Sequence, residues 1–372
     1  MRIGIVSYAI TEESGGPGVA AAGFATALAR RGHDVRVFAT ERPNAHWLID
    51  HDLAAKAGFG FVPVRGRSYP TMAVGMMRAL ETWGDESAEP AVLWINGIWA
   101  AQSVAGAWIA RRRGWKYVVR PAGSLGLAAL SYKRLKKALY YRAVERRVLL
   151  SAGAIHCMSE IERDELPAEL RPRAFIVPTG VEVLTRPDVI MPKRTTVGVL
   201  ARIHPIKNQH LALDAIERVV AGGIDVELEM AGSVSDPAYQ QHLATRIART
   251  ASLRDRVRFL GHVRRTAVAE TVARWRVALL LSQQENFGHA VVSAAACGVP
   301  SVVSHNVALA PSVAAFAAGI VCVPEEAAEA LRTVLEWPQQ AAAERARAMA
   351  ATFSWESCAA RLESELERVL HT

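Results

Sequence analysis

The stretch TVGVLARIHPIKNQHLALDAIERVVAGG, residues 196–223, decides the fold. TVGVLARI reads as a strand, an apolar and β-branched run of the kind that a parallel sheet buries on both faces. Pro205 breaks the chain, and a helix starts near Asn208 and closes on Gly-Gly. Between them stand Arg202 and Lys207. Open α/β sheets bind ligands at the carboxyl ends of their strands. Two cations there, beside a helix N-terminus, make an anion site. Arginine can hold two phosphate oxygens at once and lysine adds a point charge.

The same alternation extends outward. After it come the strands VELEMAG, VRFLGHV, VALLLS, PSVVSH and GIVCVPE, with helices between most of them. Before it come RIGIVSYA, DVRVFAT, VLWING, YVVRPAG, AIHCMS and AFIVPTGVEV. The pattern stops only at LTRPDVIMPKRT, so the linker is expected at residues 183–195. The expected class is α/β, with two doubly wound Rossmann-like domains facing a cleft. The expected bounds are 1–185 and 186–352, with a closing helix at about 353–372 that packs back onto the first domain. A chain of 372 residues suits two such domains.

Four cysteines without CxxC spacing exclude a disulfide scaffold and argue against structural zinc. The charge-free stretch 286–324 is broken by Gly298, Pro300 and Pro311, so it reads as buried helix, turn and strand rather than a membrane span. No segment reads as a signal peptide, and a cytoplasmic location is expected.

Net charge is +8, and residues 1–185 hold 24 Lys/Arg against 17 Asp/Glu, or +7. Between Arg111 and Arg147 stand 12 basic residues and a single acid, Glu145. KRLKKALYYRAVERR, from Lys133 to Arg147, spaces Leu135, Leu139, Tyr140 and Val144 as one helix face. This basic amphipathic helix is either a solvated surface or a contact for an anionic membrane or a phosphate-bearing acceptor. Nothing in it resembles a nucleic-acid-binding pattern.

Three other constellations bear on chemistry. Gly16, Gly18 and Ala21, with Glu41 after the second strand, imitate a dinucleotide fingerprint, but the glycines lie too far past the first strand. Asp50-His51-Asp52 offers a metal-binding DxD, but in a helix-like stretch where chance surface acids are expected. QENFGHAVVSAAACGVP, residues 284–300, runs strand, acid, glycine, small-residue helix, turn.

At this point the chain resembles the family 4 glycosyltransferases, which have the GT-B fold. Gly15-Gly16-Pro17-Gly18 matches the Gly-rich first loop, IVPTGVEV the IPNGVD segment, and Arg202 with Lys207 the Arg-x4-Lys pair. Glu285, Phe287 and Gly288 match the start of Glu-x7-Glu, and Phe353-Ser354-Trp355 matches FSW. The resemblance implies that Arg202, Lys207 and Glu285 are catalytic. It puts Gly16, Gly232, Val263 and Phe287 at the donor, with Gly288, His289, Ala290 and Ser293. It puts Gly18, Asn96, Trp99, Arg120 and Gly123 at the acceptor.

There are three departures. Thr179 replaces an asparagine, and Asn96 stands where the family often has histidine. Ser293 replaces the second acid, which weakens donor binding by about 1–3 kcal/mol, or 10- to 100-fold.

The family implies retaining transfer of a hexose from a UDP- or GDP-sugar, with no metal or other cofactor. Arg202 and Lys207 would stabilise the leaving diphosphate while the acceptor hydroxyl attacks the same face. The expected acceptor is a saccharide, lipid-linked, in surface polysaccharide synthesis at the inner leaflet. The alternatives are a catalytically weak sugar-nucleotide-binding partner subunit, a GT-B epimerase or phosphorylase, and an NAD-dependent oxidoreductase.

Overall fold

The protein is described by a computed structural model, which covers residues 1–11, 14–41, 47–66, 68–126, 130, 134–182 and 194–372. The chain divides into two compact units, Met1–Gly180 with Trp355–Thr372, and Val181–Ser354. The expected linker falls mostly outside the described residues.

In the first unit seven parallel strands lie in the order β3-β2-β1-β4-β5-β6-β7. They are β1 Arg2–Ser7, β2 Asp34–Thr40, β3 Gly60–Val64, β4 Ala91–Asn96, β5 Lys116–Arg120, β6 Ala154–Cys157 and β7 Ala174–Ile176. β1 and β4 are buried throughout, as parallel central strands must be. Ile3, Ile5, Val92 and Trp94 pack with Phe24, Leu362 and Leu366 on one face, whereas Val6, Leu93 and Ile95 pack with Leu80 and Trp83 on the other. Gly4 keeps the second face close, since a Cβ there would stand 2.9 Å from the Trp83 ring. The closing helix Trp355–Leu370 lays Trp355 edge-on to Phe24, 5.4 Å between centroids, over Gly23.

Sequence reading missed β3 and the helix Tyr69–Asp85. Pro63 inside FVPV argues against a strand, but β3 is at the sheet edge, where a missing N–H costs no ladder bond.

The second unit holds six parallel strands, in the order β10-β9-β8-β11-β12-β13. They are β8 Thr195–Leu200, β9 Val226–Ala231, β10 Val257–Gly261, β11 Val277–Leu280, β12 Ser301–Ser304 and β13 Gly319–Cys322. The VELEMA strand buries two acids, and both are satisfied. Arg258 reaches Glu227 at 2.8 Å and Glu229 at 3.0 Å. The Thr196 hydroxyl donates to Glu227, and the Trp275 indole N–H to Glu229.

In each sheet the strand order reverses once, between β1 and β4 and between β8 and β11. Those reversals open the crevices where such sheets take ligands. All four cysteines are free and buried.

Candidate functional site

At the β8/β11 reversal, Arg202 follows the strand end and projects to solvent, making no ion pair with a described residue. Its backbone is fixed from two sides. The buried Gln209 donates its side-chain amide to the Arg202 carbonyl at 2.7 Å. Gly232, at φ 155, sits so close that a Cβ would run into the Ala201 carbonyl. The loop is then sewn to the segment after β11. The Ile206 carbonyl accepts the Gln283 N–H at 2.9 Å. Asn208, in the left-handed region at φ 52, donates to Leu281 O at 2.9 Å and accepts from Gln283 at 3.2 Å.

This stitching carries Lys207 to Glu285, and Nζ donates to Oε2. The lysine side chain is 12% exposed and the glutamate 23%, so water screens the pair only partly. Glu285 is held by its backbone, donating to Asn306 O at 3.0 Å and accepting from Ala308 at 2.9 Å. Three residues on, Gly288 takes φ 105 and opens the helix His289–Ala296, which has no side-chain cap among the described residues. Its first turn, with His289 and Ala290, presents the positive end of a helix close after Glu285 in the chain. Ser293, half-buried one turn further, makes no side-chain hydrogen bond to a described residue. Phe287 corrects the expectation of a donor contact: it is 2% exposed and packs on Phe353 at 5.8 Å, a wall behind the loop. Val263 is half-buried against the cluster around Trp275.

The first unit has a cavity of about 940 Å³ at the carboxyl ends of β1 and β4. Ser7, Asn96, Trp99, Gln102, Ser103 and Ser124 are among its lining residues. Its wall is conformationally unusual. Gly97 takes φ 107, and Trp99 and Ala122 take φ 65 and 54 although neither is glycine. Such conformations cost on the order of 1–3 kcal/mol and persist only where surroundings enforce them. The Trp99 indole donates to Ser124 O at 3.2 Å, and its backbone N–H donates to Glu145 Oε1 at 2.7 Å.

Here the expected acceptor residues separate. Trp99 and Asn96 line the cavity. Arg120 does not: it is 1% exposed, lies beneath, and donates to Asn96 at 2.8 Å and to Thr179 at 2.9 Å. Burial lowers its pKa to about 10. Asn96 in turn donates to Pro17 O at 2.8 Å, which fixes the start of the helix Gly16–Arg30. Gly123 has its N–H taken by the buried Glu162 at 2.6 Å. Gly18 is a packing glycine, since a Cβ would meet Ser14 and the Thr11 carbonyl. Gly16 is exposed in the helix's first turn. The lone acid of the basic run, Glu145, was the available signal for a buried site residue, and Gln102 and Ser103 carried none.

Two other readings fall here. Asp50 caps the helix His51–Ala57 through the Leu53 N–H at 2.8 Å, so the DxD tripeptide is a helix start. Glu41 pairs with Arg65 at 2.8 Å, and β1 ends at Ser7, well before Gly16, so the dinucleotide fingerprint is not formed.

Comparison with known sequences agrees. Residues 15–180 match the Glycosyl transferase 4-like domain, and residues 185–351 match Glycosyl transferases group 1. The chain belongs to the group 1 glycosyl transferases. A GDP-mannose-dependent alpha-(1-6)-phosphatidylinositol dimannoside mannosyltransferase of Mycobacterium tuberculosis is 27% identical over 234 residues, 59% of each chain. A glycogen synthase from the same species is 28% identical over 232 residues, 58% of this chain and 54% of that one. The match thus spans just over half the length of these relatives. Among solved structures, the HepE protein of Anabaena, crystallised with UDP and glucose, superposes with a TM-score of 0.73 at 18% identity over 99% of this chain and 100% of that one. Sucrose-phosphate synthase of Thermosynechococcus elongatus gives 0.75 at 18% identity over 100% and 99%. These likenesses establish the GT-B fold and set the oxidoreductase reading aside.

Proposed function

We propose that this group 1 transferase moves a hexose, with retention and without a metal, from a UDP- or GDP-sugar to a saccharide acceptor. The observation that carries the reading is the loop that begins at exposed Arg202 and ends on the Lys207–Glu285 pair, with Glu285 just before the helix His289–Ala296, which has no side-chain cap among the described residues. The two cations and the helix terminus are the groups a leaving diphosphate requires. In this reading Glu285, which holds Lys207, contacts the donor sugar. The acceptor hydroxyl attacks the face the diphosphate leaves, and the departing phosphate oxygen takes its proton. The cavity beside Trp99 and Asn96 receives the acceptor. A GDP-mannose-dependent relative and a neighbour crystallised with UDP support these two nucleotides.

The acceptor is lipid-linked in this reading, and the product is a surface polysaccharide made at the inner leaflet. The support is the helix Arg134–Tyr140, where Leu135 is 87% and Leu139 72% exposed among Arg134 and Lys136. These leucines were expected on a helix face with Tyr140 and Val144; no core of described residues covers them. Lys133 lies outside the described residues, and among those described no helix is long and apolar enough to cross a membrane. Sedimentation with phosphatidylglycerol vesicles but not phosphatidylcholine vesicles, lost in Leu135→Ser/Leu139→Ser, tests this part.

The donor site is tested by calorimetry with UDP, GDP, ADP and NAD, with and without EDTA, and by donor turnover. UDP or GDP binding that is indifferent to EDTA and lost in Arg202→Ala/Lys207→Ala is expected. Binding without turnover, with or without acceptor, would instead favour the weak partner subunit that Ser293 suggests.

A further inference from the structure

Glu145 is fully buried, yet no cation among the described residues is paired with it. Arg146, next in the chain, turns outward to Glu169 at 2.7 Å. Glu145 closes a π-helical turn, Tyr141–Glu145, between the helices Arg134–Tyr140 and Arg146–Leu150. Such turns insert a residue into a helix and re-aim the residues beyond it by about 100°. Here the result is an inward carboxylate between exposed Arg142 and exposed Arg146. Its hydrogen-bond partner among the described residues is in the cavity wall: Oε1 accepts the Trp99 N–H at 2.7 Å, while the Ser103 hydroxyl, in the same wall, donates to Ala100 O at 2.7 Å. Oε2 is buried without a partner among the described residues. A buried carboxyl oxygen left without a partner is costly, and such cost persists where function needs the geometry.

We propose that Glu145 is a positioning residue for the acceptor, holding the Trp99 backbone in its left-handed conformation and so setting the cavity wall on which the acceptor sugar lies. The proposal rests on the reading that this cavity receives the acceptor. Tyr140 and Tyr141, whose rings lie 6.1 and 6.4 Å from that of Trp99, are the titratable groups of the same rod that feel the carboxyl's charge. From the loop after β4 the Trp99 N–H reaches it, and the helix Ala101–Arg112 brings the neutral Ser103 hydroxyl near. Lys137 lies over the Trp99 ring at 5.7 Å. Burial raises the Glu145 pKa to about 7, so the wall changes its charge near neutrality.

The test uses the full chain as wild type, Glu145→Gln, Glu145→Ala and Trp99→Phe. The Trp99 contribution to emission, taken as wild type minus Trp99→Phe, is expected to change between pH 6 and 8 and to be flat in the Gln variant. With UDP-glucose or GDP-mannose as donor and octyl glucoside or octyl mannoside as acceptor, Glu145→Ala is expected to raise the acceptor KM at least tenfold. Glu145→Gln is expected to match wild type at pH 6 and depart from it at pH 8. The Kd for UDP or GDP should be the same in all four proteins, which separates positioning from misfolding. An unchanged acceptor KM in Glu145→Ala, or a Trp99 signal indifferent to Glu145, would overturn the proposal. A wild type that uses neither glycoside while the Trp99 signal still follows Glu145 would overturn the acceptor reading itself, and with it the assignment of Glu145 to the acceptor.

Discussion

Two arginines stand at the carboxyl ends of strands, one in each unit, and they have opposite fates. Arg120 closes β5, is 1% exposed, and spends its hydrogen bonds on Asn96 and Thr179. Arg202 lies just beyond β8, is exposed, and among the described residues is held through its backbone, by Gln209 and the close approach of Gly232. Both positions look like ligand cations in the chain. The difference teaches that a charge at a strand's carboxyl end serves either the frame or the ligand according to what packs over it, because a buried guanidinium needs protein acceptors for its donors.

The strongest test of that contrast is Arg120→Ala. It strands Asn96 Oδ1 and Thr179 Oγ1 and leaves a hole where a fully buried side chain stood, and a loss of about 3–5 kcal/mol in urea unfolding is expected. Arg202→Ala should do the reverse, leaving stability within about 0.5 kcal/mol while donor turnover falls about 10²- to 10³-fold. Equal stability losses in the two variants would erase the distinction.

The pH dependence of stability sharpens it further. Glu145 in the folded chain keeps its proton up to about pH 7, against 4.5 unperturbed, because it is buried. Between those values the folded state holds a proton that the unfolded state has released, so stability falls as pH rises. Glu145→Gln should therefore gain on wild type from pH 4.5 to 7, by on the order of 3 kcal/mol, and then level off. His156 acts in the other direction. Burial, with Arg120 nearby, lowers its pKa from 6.5 to about 3, and the ring accepts from Trp94 at 2.9 Å while donating to Val177 O at 2.7 Å. The unfolded chain takes a proton that the folded chain refuses, so stability falls as pH drops from 6.5 toward 3. Urea midpoints across about pH 4–8 check both signs.

The smallest expected effect is at Asp50. Asp50→Ala should cost about 1 kcal/mol as a lost helix cap and leave donor turnover unchanged in EDTA and in Mn²⁺. A metal-dependent loss of turnover would restore the DxD reading.

Arg202, Lys207, Glu285 and Gly288 were legible because each lies in a short run whose strand, loop or helix start is a local matter. Lys207 meeting Glu285 was not, since the pair is 78 residues apart in the chain. Phe287 was misread for the same kind of reason: adjacency to Glu285 and Gly288 says nothing of Phe353, on which its ring packs. β3 was hidden by Pro63, whose tolerance depends on an edge position that arises only when the sheet is assembled.

The sequence by itself determined two alternating α/β units, the buried strands, the loop that carries Arg202 and Lys207, and the family. Periodicity, apolar runs and motif spacing are properties of neighbouring residues, and they survive in the chain without its fold. Only the tertiary structure decided which charges are framework and which are exposed, that Trp99 stands strained in a cavity wall, and that the one acid of the basic run lies beneath it. Burial and long-range hydrogen bonds set those outcomes, and both depend on which elements come to lie against each other.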